Sequence, residues 1–440
     1  MTALTTDNGS RRRIDLDVDV HHLTRVEGHA NIQVRVRHGE LVEARWEVVE
    51  TPRFFEVMLR GKHYTTAPIL AARICGICSI AHCLVSARAT EQAFGLTVPD
   101  AARRLRLLAK HGETLQSHAL HLFFLAAPDF LGLDSAIPLL EQKPELFALA
   151  AALRGAGNRI CDAVAGRTTH PVSIKVGGMA RRPDKAVLLE LRALLRTLPE
   201  KLDQTATLFA GLDLPDFVRE TEHVSLRSDD SDPHPYPWIG GALVSSDGVQ
   251  KPEADYRAMT NEYVVPDNTS KWCKLSRESM AVGPLARFNN NQAALDPRAR
   301  QLARDLDLQP IFHNPFAQNL ARVVEMVHLT HQSLQLIDEL LDTPQDAPLC
   351  AEVLPRAGEG VGAVEAPRGI LYHRYEYDEQ GRVVAADCVI PTTQNNANIH
   401  YDLRALVQQS VTPEMTDERL ELLCSMLVRA YDPCISCSVH

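Results

Sequence analysis

Residues Arg73–His82 read RICGICSIAH, and Asp432–His440, the last nine residues, read DPCISCSVH. Each stretch holds a Cys-x-x-Cys pair, Cys75/Cys78 and Cys434/Cys437, with a histidine close behind it, His82 and His440. Two such pairs can bring four thiolates to one centre, and soft sulfur ligands select zinc, copper, nickel or iron over hard cations. The pairs sit near opposite ends of a 440-residue chain, so only an assembled interior can unite them. A structural tetrahedral zinc is the simplest occupant. A surface zinc knot, however, needs no flanking histidines, no wide separation and no chain that stops on its second motif.

Composition narrows the class. With 45% hydrophobic and 23% charged residues the chain can bury a large core and is not disordered. Its net charge of −10 and the absence of a long basic stripe argue against a general nucleic-acid binder. No apolar run approaches the roughly 18 residues of a membrane helix, because Ala119–Leu133 is broken by His121, Pro128 and Asp129. Arg11–Arg13 are followed by the acidic, alternating IDLDVDVHH, so no export signal is expected. The six single cysteines, Cys83, Cys161, Cys273, Cys350, Cys388 and Cys424, have no cluster spacing and read as buried small hydrophobes. Paired thiols in a long acidic chain point to reduced metal ligands and a cytoplasmic setting.

A mobile tail is expected over residues 1–13, followed by one large domain over 14–440. IDLDVDV, NIQVRVR and VEARWEVVE alternate in period two around a His38-Gly39 turn, which predicts antiparallel strands. From Ala67 the pattern turns helical, with segments near 100–126, 140–165 and 185–210 and one apolar face formed by Leu320, Val323, Val327, Leu334 and Leu341. Ser228–Trp238 and DTPQDAP, rich in turn formers, predict surface loops. A hairpin turning at Gln380-Gly381 and closed by Pro391 precedes a last helix from about Pro413 to Arg429. The expected class is mainly α, a multihelical core bundle with small antiparallel β elements near the N-terminus and before the C-terminal helix.

The two cysteine motifs resemble the nickel-binding signatures of nickel-iron hydrogenase large subunits. The likeness continues through TRVEGH (Thr24–His29), PRFFEVMLRGK (Pro52–Lys62), SHALHLFFLAAPDFLG (Ser117–Gly132), VGPLARFNN (Val282–Asn290), VEAPRGIL (Val364–Leu371) and IPTTQNN (Ile390–Asn396). The resemblance implies that Cys75, Cys78, Cys434 and Cys437 ligate nickel, with Cys78 and Cys437 bridging an iron that carries carbon monoxide and cyanide. It implies reversible heterolytic cleavage of dihydrogen, with Cys434 taking the proton and Glu27 relaying it. Arg368 would hang over the open metal position with Asp432 beside it, and Leu371, Ile390, Pro391 and Thr392 would line the iron ligands. His82 would lend polar support, and Glu56 and His440 would hold magnesium. Outside this context, Glu27 and Glu56 would be solvated surface residues. Arg368 and Asp432 would be turn residues, and Ile390-Pro391 a strand end.

His118 and His121, three apart on a helix, could share a metal by spacing, but read better as packed, hydrogen-bonded core residues. Ser117 stands where the respiratory, membrane-linked members carry aspartate. Family precursors extend past the final histidine, so an end at His440 is expected to be the mature form. Iron-sulfur clusters need grouped thiolates, and this chain has none to spare beyond the quartet. An iron-sulfur small subunit is therefore an obligatory partner. The likeness is greatest to the cytosolic bidirectional group, which implies further flavin and NAD(P)-reductase subunits; a deazaflavin or ferredoxin-linked hydrogenase is the alternative acceptor class. Rivals are a hydrogen sensor of slow turnover, the related quinone-reductase lineage that lacks the nickel cysteines, and the structural zinc protein.

Overall fold

The period-two stretches form β1 (Leu16–Val20), β2 (Ala30–Arg37) and β3 (Glu40–Val48), an antiparallel meander in that order. Its hairpin turns at His38 and Gly39, whose φ values of 58° and 81° are those a two-residue turn requires. Ala30, Ile32, Val34 and Val36 point to one side and are fully buried. The computed structural model describes residues 14–229 and 231–440, and the tail expected over 1–13 lies outside them.

The helical centre follows. It consists of α1 (Ser79–Phe94), α2 (Asp100–Leu120), α3 (Pro144–Ala165), α4 (Lys185–Leu195), α5 (Leu198–Ala210), α6 (Pro284–Asn291), α7 (Pro297–Asp305) and α8 (Gln318–Asp342). The 185–210 pattern is thus two helices, not one. α2 runs into a π-helical turn, His121–Ala126, a distortion that proteins favour near functional sites. In α8, Leu320, Val323 and Val327 are buried as expected, while Leu334 and Leu341 are half-buried. Leu336, Ile337 and Leu340 are fully buried instead, because the helix is enclosed on several sides.

Four parts of the architecture differ from the sequence expectation. A mixed sheet stands in the middle of the chain, built on β4 (Glu222–Arg227) and β5 (Ala242–Ser245), with Met280–Ala281 pairing parallel to β4. The late hairpin has a third strand: β6 (Gly358–Ala366) pairs with β7 (Gly369–Tyr377), which pairs with β8 (Val383–Val389). Pro391 does not merely close a strand; it opens α9 (Pro391–Ser410), which precedes α10 (Asp417–Tyr431). Proline suits the first helical turn because its missing N–H has no partner there anyway. The Ser228–Trp238 segment is irregular, but Tyr236 and Trp238 plunge into the core rather than staying on the surface.

Glycine explains why β6 escaped notice and why α1 sits where it does. AGEGVGAVEA lacks alternation because Gly360 and Gly362 face α1, whose backbone lies directly on the strand. A Cβ at Gly360 would stand 2.1 Å from the Ala89 carbonyl oxygen and 2.3 Å from the Ala93 nitrogen. Gly360→Ala is therefore expected to lose about 1–3 kcal/mol or more through overpacking. Urea unfolding measures this, and an unchanged midpoint would contradict the contact.

Candidate metal centre

The two cysteine loops meet. The sulfurs of Cys75, Cys78, Cys434 and Cys437 all lie within 4.8 Å of one another, and Cys75 Sγ and Cys434 Sγ are 3.6 Å apart. All four residues are buried. Hydrogen bonds from Cys434 and then from Cys437 and Cys78 pull the Cys75 thiol well below its ordinary range, while Cys434 is pushed well above it by its sulfur neighbours.

Local structure sets each loop. Cys78 directly precedes α1, and the Glu113 carboxylate accepts from the N–H groups of Ile80 (2.8 Å) and Ala81 (3.0 Å) at that helix's start. Lys110, buried with Glu113, donates to it at 2.9 Å and to Thr114 Oγ1 at 2.9 Å. Arg53 stitches the two loops together: Nη2 donates to the Ile74 carbonyl at 2.8 Å and to the Ser436 carbonyl. At the second loop, Ile435 N donates to the Glu27 carbonyl at 2.9 Å. Gly28 permits this approach, since φ is +85° and a Cβ would lie 2.8 Å from Ser436 N.

Glu27, half-buried, places Oε2 3.2 Å from Cys434 Sγ, and the same oxygen accepts from Ser436 N at 3.1 Å. Its other oxygen accepts from the Ser436 hydroxyl. Arg368 donates from Nε to the Asp432 carbonyl at 2.7 Å and from Nη2 to Asp432 Oδ1 at 3.0 Å. Burial alone would lower the Arg368 pKa, but Asp432 and the cysteine sulfurs raise it well above its usual value. Burial would likewise raise Asp432; the Arg368 guanidinium, then His121 and Arg322, hold its carboxyl well below the usual carboxylate range.

Beside the cysteines lies a cavity of ≈ 10 Å³, room for about one water. Cys78, Cys434 and Cys437 line it with Arg368, His82, Leu371, Ile390, Pro391 and Thr392. Two buried nitrogens there, Arg368 Nη1 and His82 Nε2, have no partner among the described residues. Thr392 Oγ1 accepts from Cys434 N at 2.9 Å, which frees its own proton for another acceptor. Four soft donors, two unspent buried nitrogens and a small apolar chamber fit a thiolate-bound metal pair with small ligands.

A second cluster gathers Glu56, His440 and Cys388, their ligand atoms within 4.8 Å of one another. His440 Nε2 is 3.5 Å from Glu56 Oε1, which also accepts from Cys388 N at 2.8 Å. His440 Nδ1 contacts the Cys437 carbonyl at 3.0 Å, so this cluster is tied to the first. A carboxylate and an imidazole suit a hard cation, although the Cys388 thiol adds a soft neighbour.

A profile of the nickel-dependent hydrogenase family matches residues 53–150 and 236–440. The chain belongs to the nickel-dependent hydrogenase family. It is 33% identical over 427 residues to the sulfhydrogenase 2 subunit alpha of Pyrococcus furiosus, covering 96% of this chain and 98% of that one. It is 28% identical over 466 residues to the NAD-reducing hydrogenase HoxS subunit beta of Cupriavidus necator, covering 95% and 93%. An NAD+-reducing [NiFe]-hydrogenase solved in its H2-reduced state superposes with a TM-score of 0.84 at 28% identity, covering 96% of this chain and 99% of that one. This hydrogenase chain is a catalytic subunit, and the family implies a nickel-iron centre.

Sequence reasoning on this hydrogenase missed Glu113, Lys110, Arg53 and Cys388. No motif or spacing marked Lys110 or Glu113, and only the PRFFE likeness touched Arg53. His118 and His121 find separate partners: Glu325 Oε2 at 2.8 Å for His118, and Asn319 Oδ1 at 3.1 Å and Asp432 Oδ1 at 3.2 Å for His121. Glu113→Ala leaves Lys110 buried without a counter-charge and is expected to cost about 3–5 kcal/mol. Urea unfolding tests this. The double variant Lys110→Met/Glu113→Leu should recover only part, because the N–H groups of Ile80 and Ala81 stay unpaired; a loss near zero in Glu113→Ala contradicts the clamp.

Proposed function

We propose that Cys75, Cys78, Cys434 and Cys437 would hold the nickel, with Cys78 and Cys437 shared with an iron that would carry carbon monoxide and cyanide. The reaction is reversible heterolytic cleavage of dihydrogen, with electrons passing to an iron-sulfur small subunit and on to NAD(P). One observation carries this reading: Glu27 Oε2 lies 3.2 Å from Cys434 Sγ at the very quartet that Arg368 overlooks.

When bound, the centre supplies Lewis-acid activation of dihydrogen and takes up its two electrons. The chain's own task is to accept and remove a proton. Cys434 Sγ receives it and passes it to Glu27 Oε2, within reach for general acid-base transfer. Ser436 holds both Glu27 oxygens, so the carboxylate cannot swing away from the sulfur. Arg368, pinned by Asp432, keeps a positive charge over the sulfurs in a dry cavity where such a charge counts most. Leu371, Ile390 and Pro391 would give the small ligands of a bound iron an apolar bed, and Thr392, whose own proton is free, would donate to one of them, a cyanide. Magnesium on Glu56 and His440, with waters and a backbone carbonyl, would fasten the final turn through the His440 contact with Cys437.

Among the described residues, the quartet is the one all-cysteine cluster, so the electron wire belongs to the small subunit. The likeness to an NAD-reducing subunit and an NAD+-reducing structure supports NAD(P) as the distal acceptor and further flavin and reductase subunits as partners. No helix of the described residues is long and apolar enough to cross a membrane. Reduced paired thiols support a cytoplasmic setting.

The infrared spectrum of the purified complex tests the centre: bands in the carbonyl and cyanide stretching region are expected, and their absence, or zinc without nickel, overturns the reading. Cys434→Ser should abolish nickel-dependent turnover. Glu27→Gln should retain the metals but lose proton exchange with dihydrogen, and retained exchange removes Glu27 from the relay. Hydrogen-driven reduction of NAD+ or NADP+ by the complex is expected; electrons accepted by ferredoxin or a deazaflavin alone overturn the acceptor.

A further inference from the structure

Arg322, on α8, is fully buried, yet among the described residues its guanidinium hydrogen-bonds only to neutral oxygens. Nη1 donates to the Ala430 carbonyl at 2.9 Å and to Asn319 Oδ1 at 3.2 Å, while Nε and Nη2 have no partner. The Ala430 carbonyl needs this outside donor for a reason written in the chain. Three residues on stands Pro433, which has no N–H, and four on stands Cys434, whose N–H goes to Thr392 Oγ1 at 2.9 Å. Asp432 N turns back to the Arg429 carbonyl at 2.9 Å, and Asp432 itself ends α10 in the left-handed conformation, φ 53°. Arg322 therefore completes the cap of α10 and puts a positive charge at a helix C-terminus, where the helix dipole favours one. Asn319 Oδ1 also meets His121 Nε2 at 3.1 Å, so the guanidinium is held between α8, the π-helical turn and the end of α10. Burial pushes the Arg322 guanidinium down to about 10, and Asp432 is the first charge to oppose that fall. Asp432 Oδ2 has no hydrogen-bond partner among the described residues.

We propose that Arg322 is a positioning residue for the hydrogenase centre: it caps α10 at Ala430 and places an unshared positive charge near Asp432, so that the Asp432 carboxylate stays set in its turn and clamps Arg368 over the sulfurs. A buried guanidinium without a carboxylate of its own is costly, and proteins keep such groups where a site uses them. Arg368 and Asp432 cancel as a pair. Adding Arg322 leaves the three groups with one positive charge in excess, and in a dry interior the thiolates feel that excess. A positive charge near a metal draws electron density from it and raises the stretching frequencies of carbon monoxide and cyanide bound there. Loss of Arg322, by removing its own charge and loosening the clamp on Arg368, lowers them. A helix cap with no further role would cost stability alone and leave those frequencies where they were.

This inference rests on the nickel-iron reading, and its test separates the two. The infrared spectrum, nickel content and turnover of the wild-type complex are compared with those of Arg322→Met, Arg322→Gln and Arg322→Lys. Wild-type bands in the carbonyl and cyanide region establish the centre; if they are absent, that reading and this inference both fall. With the bands present, nickel-loaded Arg322→Met is expected to shift them to lower wavenumber and to lose about tenfold or more in turnover, as outer-shell changes do. Arg322→Gln keeps a donor for the Ala430 carbonyl and removes the charge, so it should shift the bands the same way, and it serves as the readout if Arg322→Met does not assemble. Arg322→Lys keeps the charge and should restore part of the wild-type band position and turnover. Bands unmoved or raised in the nickel-loaded neutral variant reduce Arg322 to a helix cap and overturn the inference. A shift in Arg322→Lys as large as that of the neutral variant overturns it as well.

Discussion

Four cysteine sulfurs within 4.8 Å of one another in a dry interior are an electrostatic problem, and much of the surrounding structure answers it. Thiolates that close repel, and burial strengthens the repulsion because no water screens it. The protein surrounds them with donors and cations held in turn by their own partners. Arg368 is locked by Asp432, and Asp432 by His121. Arg287 donates to the Ala366 and Pro367 carbonyls just ahead of Arg368, and is itself paired with Glu325 and Glu365. Arg368 and Arg287 are thus each fixed by a carboxylate that is itself held by a further partner.

The same arrangement explains how residues from both ends of the chain stay together. Breaking any buried pair would leave an unpaired charge, a far larger cost than the pair's net contribution to stability. Arg53 joins the loop before Cys75 to the loop between Cys434 and Cys437, and Glu113 with Lys110 holds the start of α1. The N-terminal sheet packs on α9 and α10, so the segment carrying Glu27 reaches the last turn of the chain. On this architecture the proton side, Glu27 with Ser436, and the guanidinium side, Arg368 with Asp432, are held by separate elements.

What could be read from the chain itself was local pattern and motif chemistry. Period-two alternation marked β1 to β3, and helical spacing marked α2, α3 and α8, because one-sided burial leaves that trace in order along the chain. The paired cysteines announced a soft-metal site through ligand chemistry alone. β6 was hidden because its glycines obey the approach of α1, and α9 was hidden because TTQNNANIH is polar yet buried, its amides hydrogen-bonded to distant segments. Asn396, for example, meets Trp46 and Ser270.

The sequence by itself determined the donor set: four thiols in two pairs, a terminal histidine, and an arginine, three acids and a threonine in recognisable motifs. Tertiary structure alone decided which of these face one another and what holds them. It set Glu27 Oε2 3.2 Å from Cys434, brought Lys110 and Glu113 under the first loop, and locked Arg368 against Asp432. The physical reason is that a hydrogen bond between residues hundreds of positions apart leaves no periodicity in either segment. Its partners become visible only when packing has excluded water and every buried polar group must find one.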